Sequence, residues 1–455
     1  MRILLWHGYL LSGSGSNIYT ANLCREWRKA GHDVLLLCQE RGEATYGCVD
    51  EVGDFDPDNR SFRTRPTGLA GGPGRCRLVR PSIGNILPVY VYDRYEGFIA
   101  TRFVDLSDDE LDAYTDRNVE AMATAIVEHR PDAIITGHEV MGPFIAKLAC
   151  ERTKTDYLAK LHGSALEYAV KLQERYLRFA TEGLCAARVV VGGSEYMVEE
   201  ASATVPGWRG RAVVVNPGCD VELFRPVERE PSTEAVVGYV GKLIAAKGVH
   251  DLLVALGETT VPLRAVIVGY GEFEGVLRNL ASRLKEGDVD AARALLEEVG
   301  DPAVNRAVDF LTSEAAGDAF RGRLGQVEVA FAGRLEHDPL SRILPTFDVL
   351  VVPSVVSEAF GLVAAEAAAS GVLPVVPNHS GIGEAGAAVE AAISRPGWLT
   401  FDSSNPVTGI ADALERVLAV SIEERRHLGR AASRLARSRW SWRHVSARLL
   451  DLAVG

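Results

Sequence analysis

The sequence contains no long hydrophobic run. It lacks a stretch of about 18 uninterrupted apolar residues, so we expect no transmembrane helix. The apolar start Ile3–Trp6 is followed at once by His7 and Gly8, and it is too short for the core of a signal peptide. We therefore expect a cytoplasmic protein for which membrane contact is not part of its function.

Cysteine is sparse and is not arranged in pairs. The 455 residues include 7 cysteines, an odd number, and none of them forms a CxxC pair. A disulfide scaffold or a structural zinc site is therefore not expected. The sequence also has no dense Asp/Glu/His cluster that would suggest a catalytic metal, so we expect neither a metal nor another cofactor.

Basic residues are outnumbered, and few of them are lysine. The chain has 49 Lys+Arg against 61 Asp+Glu, a formal net charge of −12, which argues against a general nucleic-acid binder. Its 47% hydrophobic and 24% charged residues are typical of a globular protein of two or three domains. Only eight residues are lysine, which makes the position of each one informative.

Two segments of the chain begin with the same order of predicted elements. The first has a strand at Ile3–Trp6, a glycine loop at 13–17, a helix at Ile18–Ala30 and a strand at Val34–Leu37. The second repeats this order from Ala235 to Val268, with its glycine loop at 241–248. Strand, glycine loop, helix and strand indicate an α/β protein with two βαβ-based, Rossmann-like domains and parallel sheets.

The domain boundary is predicted near residues 220–232, where Pro and charged residues accumulate. We assign 1–222 to an N-terminal domain and 232–438 to a C-terminal domain. A last helix, at about 440–455, follows Trp440-Ser441-Trp442. Two segments stand out within the domains. Residues 52–97 show little periodicity and are predicted to form a long loop, and residues 275–325 form a helical insertion between two strands.

The most informative pattern is a pair of glutamates around a predicted helix start. The buried strand 348–352 leads into a loop, and a helix of small residues begins near Phe360 or Gly361. Glu358 precedes the helix and Glu366 lies inside it. The first turn of a helix has unpaired N–H donors and the positive end of the dipole, so it can bind phosphate. A phosphate site flanked by two carboxylates suits a nucleotide sugar, with one carboxylate for the sugar hydroxyls and one for the ribose.

A second pattern is the glycine loop Gly241–Gly248, which contains Lys242 and Lys247. The loop follows a strand, where open α/β sheets bind their ligands. Lysine acts as a mobile point charge for phosphate. Two lysines could therefore neutralise a leaving diphosphate without a metal ion.

Together these residues resemble glycosyltransferase family 4, the retaining nucleotide-sugar glycosyltransferases with the GT-B fold. The resemblance covers nearly the whole chain and is most specific at Glu358/Glu366 and at Gly241–Gly248. Weaker matches lie at 216–220, 268–271, 331–333 and 380–384. The resemblance implies two Rossmann-like domains facing across a cleft and a C-terminal helix that returns to the first domain.

The resemblance also assigns roles in the second domain. Glu358 would contact hydroxyls of the donor sugar and Glu366 the ribose, while Lys242 and Lys247 would hold the diphosphate. Further contacts to the nucleotide-sugar donor would come from the backbone at the helix start and in two loops, and the loop near 333–335 would bind the nucleotide base. The residues that make these contacts are Gly241, Gly333, Arg334, Leu335, Ala359, Phe360, Gly361 and Leu362. This chain departs from the family pattern at Lys242, where many members have arginine, and at Ser380, which replaces a glycine.

In the first domain, Gly13 and Gly15 in the loop 12–17 would let the backbone approach a phosphate at a helix start. His162 matches a family histidine that faces the donor. With Lys242, Lys247 and Glu358 it completes the predicted catalytic set. Four further side chains are candidate acceptor contacts: Asn17, His138, Glu139 and, from the segment 88–98, Tyr92.

The resemblance predicts hexosyl transfer with retention, in which the leaving phosphate accepts the proton of the acceptor. A UDP-sugar is the favoured donor and a GDP-sugar the second choice, with a small polar molecule as acceptor; a homodimer is compatible with the sequence. The alternatives are a nucleotide-sugar epimerase and a catalytically inactive scaffold of the same fold. An oxidoreductase is less consistent with the sequence, because Ile18 replaces the third glycine of GxGxxG and only Glu40 could bind a ribose.

Overall fold

The computed structural model describes residues 1–11, 14–42, 47–69, 71–91, 98–228 and 234–455. These residues form two compact units. Unit 1 comprises Met1–Pro217 and Trp442–Gly455, and unit 2 comprises Gly218–Ser441. The division at Pro217 lies a few residues before the predicted boundary.

Unit 1 is built on a sheet that has nine strands within the described residues. Two further strands, which lie between residues 86 and 102 in the sequence, form a separate two-stranded sheet. The strands of unit 1 are β1 (Arg2–Trp6), β2 (Asp33–Leu37), β3 (Glu51–Phe55), β4 (Phe62–Pro66), β5 (Arg75–Arg80), β6 (Ile86–Val89), β7 (Ile99–Arg102), β8 (Ala133–Gly137), β9 (Leu158–Lys160), β10 (Val189–Gly192) and β11 (Ala212–Val214). The order in the main sheet is β11-β10-β9-β8-β1-β2-β5-β3-β4, and every pair is parallel except β3–β4. The strands β6 and β7 pair with each other.

The prediction of a long loop at 52–97 is wrong for the described part of this segment. Residues in β3, β4 and β5 extend the main sheet on its β2 side. Three arginine–carboxylate pairs link these strands to their neighbours: Arg75–Glu51, Arg77–Asp33 and Arg80–Asp54. Arginines in β4, at the edge of the sheet, and in β5 interrupt the hydrophobic periodicity by which strands are recognised.

The helices of unit 1 cover both faces of its sheet, as the continuous apolar runs of β1 and β2 require. They are α1 (Gly15–Lys29), α2 (Asp108–His129), α3 (Gly142–Thr153), α4 (Glu174–Ala186), α5 (Glu195–Thr204) and the C-terminal helix, whose bounds are Trp442–Val454. The C-terminal helix packs into the core of unit 1 with Trp442, Val445 and Leu449. Ser446 accepts a hydrogen bond at its carbonyl from Trp27 Nε1, at 3.0 Å.

Unit 2 has six parallel strands within its described part: β12 (Ala235–Val240), β13 (Leu263–Val268), β14 (Glu328–Gly333), β15 (Val349–Val351), β16 (Leu373–Pro377) and β17 (Thr400–Phe401). Their order is β14-β13-β12-β15-β16-β17. Numbered from one, this is the 3-2-1-4-5-6 order of the doubly wound nucleotide-binding fold. The strand order reverses between β12 and β15, which is the point where such sheets bind their ligands.

The helices of unit 2 are α6 (Val249–Ala255), α7 (Glu274–Lys285), α8 (Val289–Val299), α9 (Asn305–Thr312), α10 (Asp318–Leu324), α11 (His337–Ile343), α12 (Leu362–Ala369), α13 (Ser380–Ala392), α14 (Pro406–Ala419) and α15 (Ile422–Arg439); the C-terminal helix of unit 1 is then α16. Helices α7 to α10 lie between β13 and β14, where the sequence predicts an insertion. No helix in the described part of the chain is long and apolar enough to cross a membrane. All seven cysteines are free thiols.

Candidate active site

The two loops predicted to bind the donor follow β12 and β15, on either side of the point where the strand order of unit 2 reverses. Gly248 ends the first loop with a φ of +68°, and a Cβ there would lie 1.9 Å from the carbonyl oxygen of Pro353 in the second loop. The N–H of Val355 donates to the carbonyl of Ala246 at 3.0 Å. The absence of a side chain at Gly248 is therefore what lets the two loops pack together.

These loops bring together Lys247 and Glu358, which lie 111 residues apart in the sequence. Lys247 Nζ donates to Glu358 Oε1 at 2.7 Å, and both side chains are partly buried. The buried Tyr239 hydroxyl lies under the same loop and donates to the carbonyl of Lys242. Lys242 itself is exposed, and no described residue forms an ion pair with it. The structure thus presents one cation held by a carboxylate and one directed to solvent.

Ser380, the departure from the family glycine, holds the Glu358 loop in place. The N–H of Glu358 donates to Ser380 Oγ at 3.0 Å, and the N–H of Gly381 donates to the carbonyl of Glu358 at 2.9 Å. His379 contacts the same hydroxyl through Nδ1 at 3.0 Å. His379 was not among the residues predicted from the sequence.

Helix α12 begins at Leu362, after Gly361 in the left-handed region with a φ of +85°. Among the described residues, no side chain caps its start, which leaves that end available to an anion. Phe360 is buried against Trp440, and Ala359 and Leu362 are half-buried.

Glu366 lies within α12 and is mostly buried. Its Oε1 lies 3.5 Å from Nε2 of His337, and this contact raises the pKa of His337. His337 was missed from the sequence, because nothing in its local pattern shows that the start of α11 comes close to α12.

The loops after β13 and β14 complete this edge of the sheet. The N–H of Gly269 donates to the carbonyl of Gly333 at 2.9 Å, and the N–H of Gly241 donates to Val268. Arg334 is exposed, and its guanidinium lies 4.9 Å from the ring centre of Tyr270. The side chain of Leu335 packs against the core, so only its backbone can face a ligand.

Unit 1 has its own polar cluster, at the carboxyl ends of β1, β8 and β9. His7 follows β1, and its Nε2 lies 2.9 Å from Asn17 Oδ1 while its Nδ1 lies 3.1 Å from Thr20 Oγ1. Asn17 and Gly15 belong to helix α1, which therefore begins earlier than the predicted Ile18. The predicted residues Gly13 and Tyr92 lie outside the described residues.

His138, Glu139 and His162 come together in this cluster. The ring centres of His138 and His162 are 4.8 Å apart. Glu139 is fully buried, and its Oε1 accepts the N–H groups of His162 at 2.9 Å and Gly163 at 2.7 Å. Neither ring nitrogen of His138 nor Oε2 of Glu139 has a hydrogen-bond partner among the described residues. Buried polar atoms of this kind are normally satisfied by water or a ligand.

Burial keeps the histidines of this cluster uncharged. It lowers the pKa of His7 to about 4 and holds the pKa values of His138 and His162 well below the usual range. It also raises the pKa of Glu139 and lowers that of Lys160 to about 7. A cluster of neutral imidazoles is suited to hydroxyl groups, which both donate and accept hydrogen bonds.

His7 and Lys160 were missed from the sequence, whereas Tyr90 lies in the segment 88–98 that was predicted to offer acceptor contacts. His7 follows the end of β1 and Lys160 is the last residue of β9. A polar residue at the end of a strand was the signal by which both could have been predicted as site residues. Tyr90 contacts the ring of His138 at 4.9 Å and donates to the carbonyl of Val140. Glu40 has a structural role, since its carboxylate accepts the N–H groups of Leu11 at 2.9 Å and Gly42 at 2.7 Å.

No group of three or more His, Cys, Asp or Glu residues in the described ranges is arranged to hold a metal ion.

Comparison with known families matches both units. Residues 14–218 match the family described as "Glycosyl transferase 4-like domain", and residues 321–435 match "Glycosyl transferases group 1". Solved structures of similar fold include sucrose-phosphate synthase from Thermosynechococcus elongatus, with a TM-score of 0.61, 19% identity and coverage of 99% of this chain and 98% of that one. Another is Anabaena HepE in complex with UDP, with a TM-score of 0.57, 16% identity and coverage of 99% of both chains.

Curated relatives resemble part of the chain. A D-inositol 3-phosphate glycosyltransferase from Corynebacterium urealyticum is 29% identical over 58% of this chain and 56% of its own length. The protein of that name from Rhodococcus opacus is 26% identical over 53% of this chain and 47% of its own length. The match thus spans about half the length of these relatives.

The fold and the two matched domains define a GT-B protein of the glycosyltransferase class, which confirms the predicted α/β architecture. Within that class, the chain combines a glycosyl transferase 4-like domain with a domain of glycosyl transferases group 1.

Proposed function

We propose that this protein transfers a hexosyl group from a nucleoside-diphosphate sugar to a hydroxyl of a small polar acceptor, with retention at the anomeric carbon. One observation carries the proposal: Lys247 and Glu358 meet at 2.7 Å where the strand order of unit 2 reverses. A sugar diphosphate needs a cation beside its phosphates and a hydrogen-bond acceptor beside its sugar hydroxyls. Lys247 supplies the cation and Glu358 supplies the hydrogen-bond acceptor.

In this proposal Lys247 and Lys242 hold the diphosphate together with the start of α12. Departure of the nucleoside diphosphate concentrates negative charge on the β-phosphate, and fixed positive charge placed there lowers the barrier. The lysines would take the part that a metal ion plays in other enzymes. Glu358 would orient the sugar through its hydroxyls, as a positioning residue rather than a covalent nucleophile.

A UDP-sugar is the proposed donor, with a GDP-sugar as the second choice. The similarity in fold to a structure determined in complex with UDP supports this order. Glu366 would accept from the ribose hydroxyls, and the backbone at 333–335 would read the base. His337, held beside Glu366, would keep that carboxylate oriented.

The acceptor would bind to the neutral cluster of unit 1. His138 and Glu139 have buried polar atoms without partners, which a polyhydroxylated molecule could satisfy. The relatives named for an inositol phosphate substrate support an acceptor of this type. The leaving phosphate would take the acceptor proton, so the proposal requires no separate base. An epimerase or an inactive scaffold is less well supported, since family relatives are named as transferases.

The test is nucleotide binding by the wild type and by Lys247→Ala. Thermal shift and calorimetry with UDP, GDP and ADP should show binding of one nucleotide. Lys247→Ala should weaken it about tenfold or more, because a hydrogen bond to a charged group contributes about 1.5–3 kcal/mol. Lys285→Ala, an exposed lysine at the end of α7, is the matched control and should bind as the wild type does.

If no nucleotide binds at millimolar concentration, the proposed function fails. If one binds, the corresponding sugar nucleotide with candidate polyols should give a transfer product, and NMR of its anomeric proton tests retention. A product with inverted configuration would contradict the mechanism. If the donor binds but is neither transferred nor hydrolysed, the result would favour the inactive scaffold.

A further inference from the structure

A cavity of about 670 Å³ opens at the amino ends of β15 and β16 in unit 2. Phe347 and Asp348, which precede β15, line it together with Ser370 and Gly371, which precede β16. The loop that carries Glu358 follows the carboxyl end of β15, so the cavity lies at the opposite edge of the sheet from the proposed donor site. Cavities of this volume are typical of small-molecule sites.

Segments that are distant in the sequence pack together around this cavity. A Cβ at Gly429 of α15 would lie 2.0 Å from the carbonyl oxygen of Gly371, and Ser433 Oγ donates to the carbonyl of Ala369 at 2.9 Å. A Cβ at Gly371 would in turn lie 3.1 Å from Cγ of Pro226. The cavity is therefore a gap between packed backbone segments rather than a groove along one helix.

Helix α15 contributes three arginines to the wall of the cavity, Arg425, Arg426 and Arg430. Arg425 Nη2 lies 3.7 Å from Asp348 Oδ1. Arg426 and Arg430 lie one turn apart on the same face of α15, an arrangement of like charges that destabilises a helix. Arg430 is exposed, and no described residue forms an ion pair with it. Asp348 and Glu228 are the only carboxylates among the described lining residues, so the wall has a net positive charge.

Ser370 adds a buried hydroxyl group to the wall. The residue is 3% exposed, and its Oγ has no hydrogen-bond partner among the described residues. Buried polar atoms of this kind are normally satisfied by water or a ligand. The rest of the wall is apolar and consists of Pro226, Val227, Pro345, Phe347 and Ile422. The cavity thus combines a positively charged, polar part with an apolar part.

We infer that this cavity is a second ligand site, which binds the phosphate group of a small organic phosphate. The inference goes beyond the proposed function and does not depend on it. The planar guanidinium groups match phosphate oxygens, and the Ser370 hydroxyl supplies a further hydrogen bond. The apolar part of the wall contacts the organic part of the ligand. A phosphate between Arg426 and Arg430 also offsets the repulsion between these two cations.

The test uses the variant Lys242→Ala/Lys247→Ala, in which the lysines of the proposed donor site cannot hold phosphate. Calorimetry with inorganic phosphate and with glycerol 3-phosphate should show binding of at least one of them at millimolar concentration, with one molecule per chain. Acetate should bind more weakly, because it offers two oxygens instead of the three or four of a phosphate. Absence of binding by both phosphates, or tighter binding of acetate, overturns the inference.

Arg430→Ala in the same background should weaken phosphate binding about tenfold or more, the equivalent of one hydrogen bond to a charged group. Arg434→Ala is the matched control, since Arg434 is the next arginine along α15, is exposed and lies outside the cavity. If Arg430→Ala binds phosphate unchanged, or if Arg434→Ala weakens it equally, the inference is overturned.

Ser370→Ala separates binding from stability. It should weaken phosphate binding about 2- to 10-fold, as expected for one neutral hydrogen bond. Without phosphate it should not lower the free energy of unfolding, because the hydroxyl has no partner to lose. A loss of stability with unchanged affinity would contradict the inferred contact.

Nucleotide binding shows whether the two sites are separate. Arg430→Ala in the otherwise wild-type chain should bind nucleotide as the wild type does. An equal loss of nucleotide and phosphate binding would overturn the inference of a second site. A wild type that binds no nucleotide overturns the proposed function alone, since phosphate binding is measured without the two lysines.

Discussion

Asp251 is fully buried in helix α6, and neither of its carboxylate oxygens has a hydrogen-bond partner among the described residues. His250 Nε2 lies 3.6 Å from Asp251 Oδ2, and burial lowers the pKa of this histidine to about 4. Burial raises the pKa of Asp251 well above its usual value. The folded protein therefore holds a proton on Asp251 more tightly than the unfolded chain does.

A raised pKa in the folded state means that stability is lost as pH rises from about 4 toward that pKa. We predict that Asp251→Asn, which cannot ionise, is more stable than the wild type at pH 8 by at least about 1 kcal/mol, the equivalent of one pKa unit. Urea unfolding between pH 4 and pH 8 measures this difference. Asp290→Asn, at an exposed position on α8, should not alter the slope. A wild type and variant that differ equally at both pH values would contradict the prediction.

At the scale of single residues, the sequence pattern singles out Lys247 and Glu358 more clearly than the cluster around His162. Lys247 and Glu358 carry recognisable spacing within their own loops, and the structure brings them together. The residues near His162 have no recognisable spacing of this kind, because Glu139 and Lys160 come close to it only when the ends of β8 and β9 meet. Burial, and with it each pKa in this cluster, is a tertiary property that no local pattern contains.

At the scale of elements, the position of the loop Gly241–Gly248, which contains Lys242 and Lys247, depends on its last residue, Gly248. An alanine there would have a φ of +68° and a Cβ 1.9 Å from the carbonyl oxygen of Pro353. We predict that Gly248→Ala separates the two loops, lowers nucleotide affinity at least about tenfold and reduces stability by more than about 1 kcal/mol, the cost of left-handed backbone for a non-glycine residue. Calorimetry and thermal unfolding measure the two effects.

Gly275→Ala is the matched control for this substitution. Gly275 lies in helix α7, where a Cβ would meet nothing within 4 Å. Alanine has the higher helix propensity, so this variant should be as stable as the wild type or more stable, by up to about 1 kcal/mol. If Gly248→Ala behaves like Gly275→Ala, the close approach of the loops does not control binding.

The elements themselves were predictable where their hydrophobic pattern is strong. The buried strands β1, β2, β12 and β13 and the insertion with helices α7 to α10 follow the sequence prediction within a few residues. The strands β3, β4 and β5 were missed. The side chains of β4 and β5 are partly exposed and rich in arginine, and the pairing of β5 with β2 joins segments that are distant along the chain.

At the scale of the whole molecule, α16 belongs to unit 1 although it follows unit 2 in the chain. Trp442, Val445, Leu449, Leu450 and Ala453 are buried in the core of unit 1. We predict that truncation after Ser441 destabilises unit 1 by more than about 4 kcal/mol, since burial of one large apolar side chain contributes about 1.5–3 kcal/mol. Hydrogen exchange of β1 and β8 measures this loss.

Removal of only Val454 and Gly455, which are exposed, is the control for this truncation and should leave the exchange unchanged. Equal protection of β1 and β8 in the chain ending at Ser441 would show that unit 1 is complete without α16.

The position of α16 also sets the order of events on the ribosome. Domains generally fold from the N-terminus onward during synthesis. Here β1 and α1 are translated before α16, so part of their apolar surface stays exposed until α16 has been translated. Unit 2, whose chain is continuous from Gly218 to Ser441, can close before then. A chain that ends before α16 thus exposes Trp27 and its neighbours to chaperones and proteases.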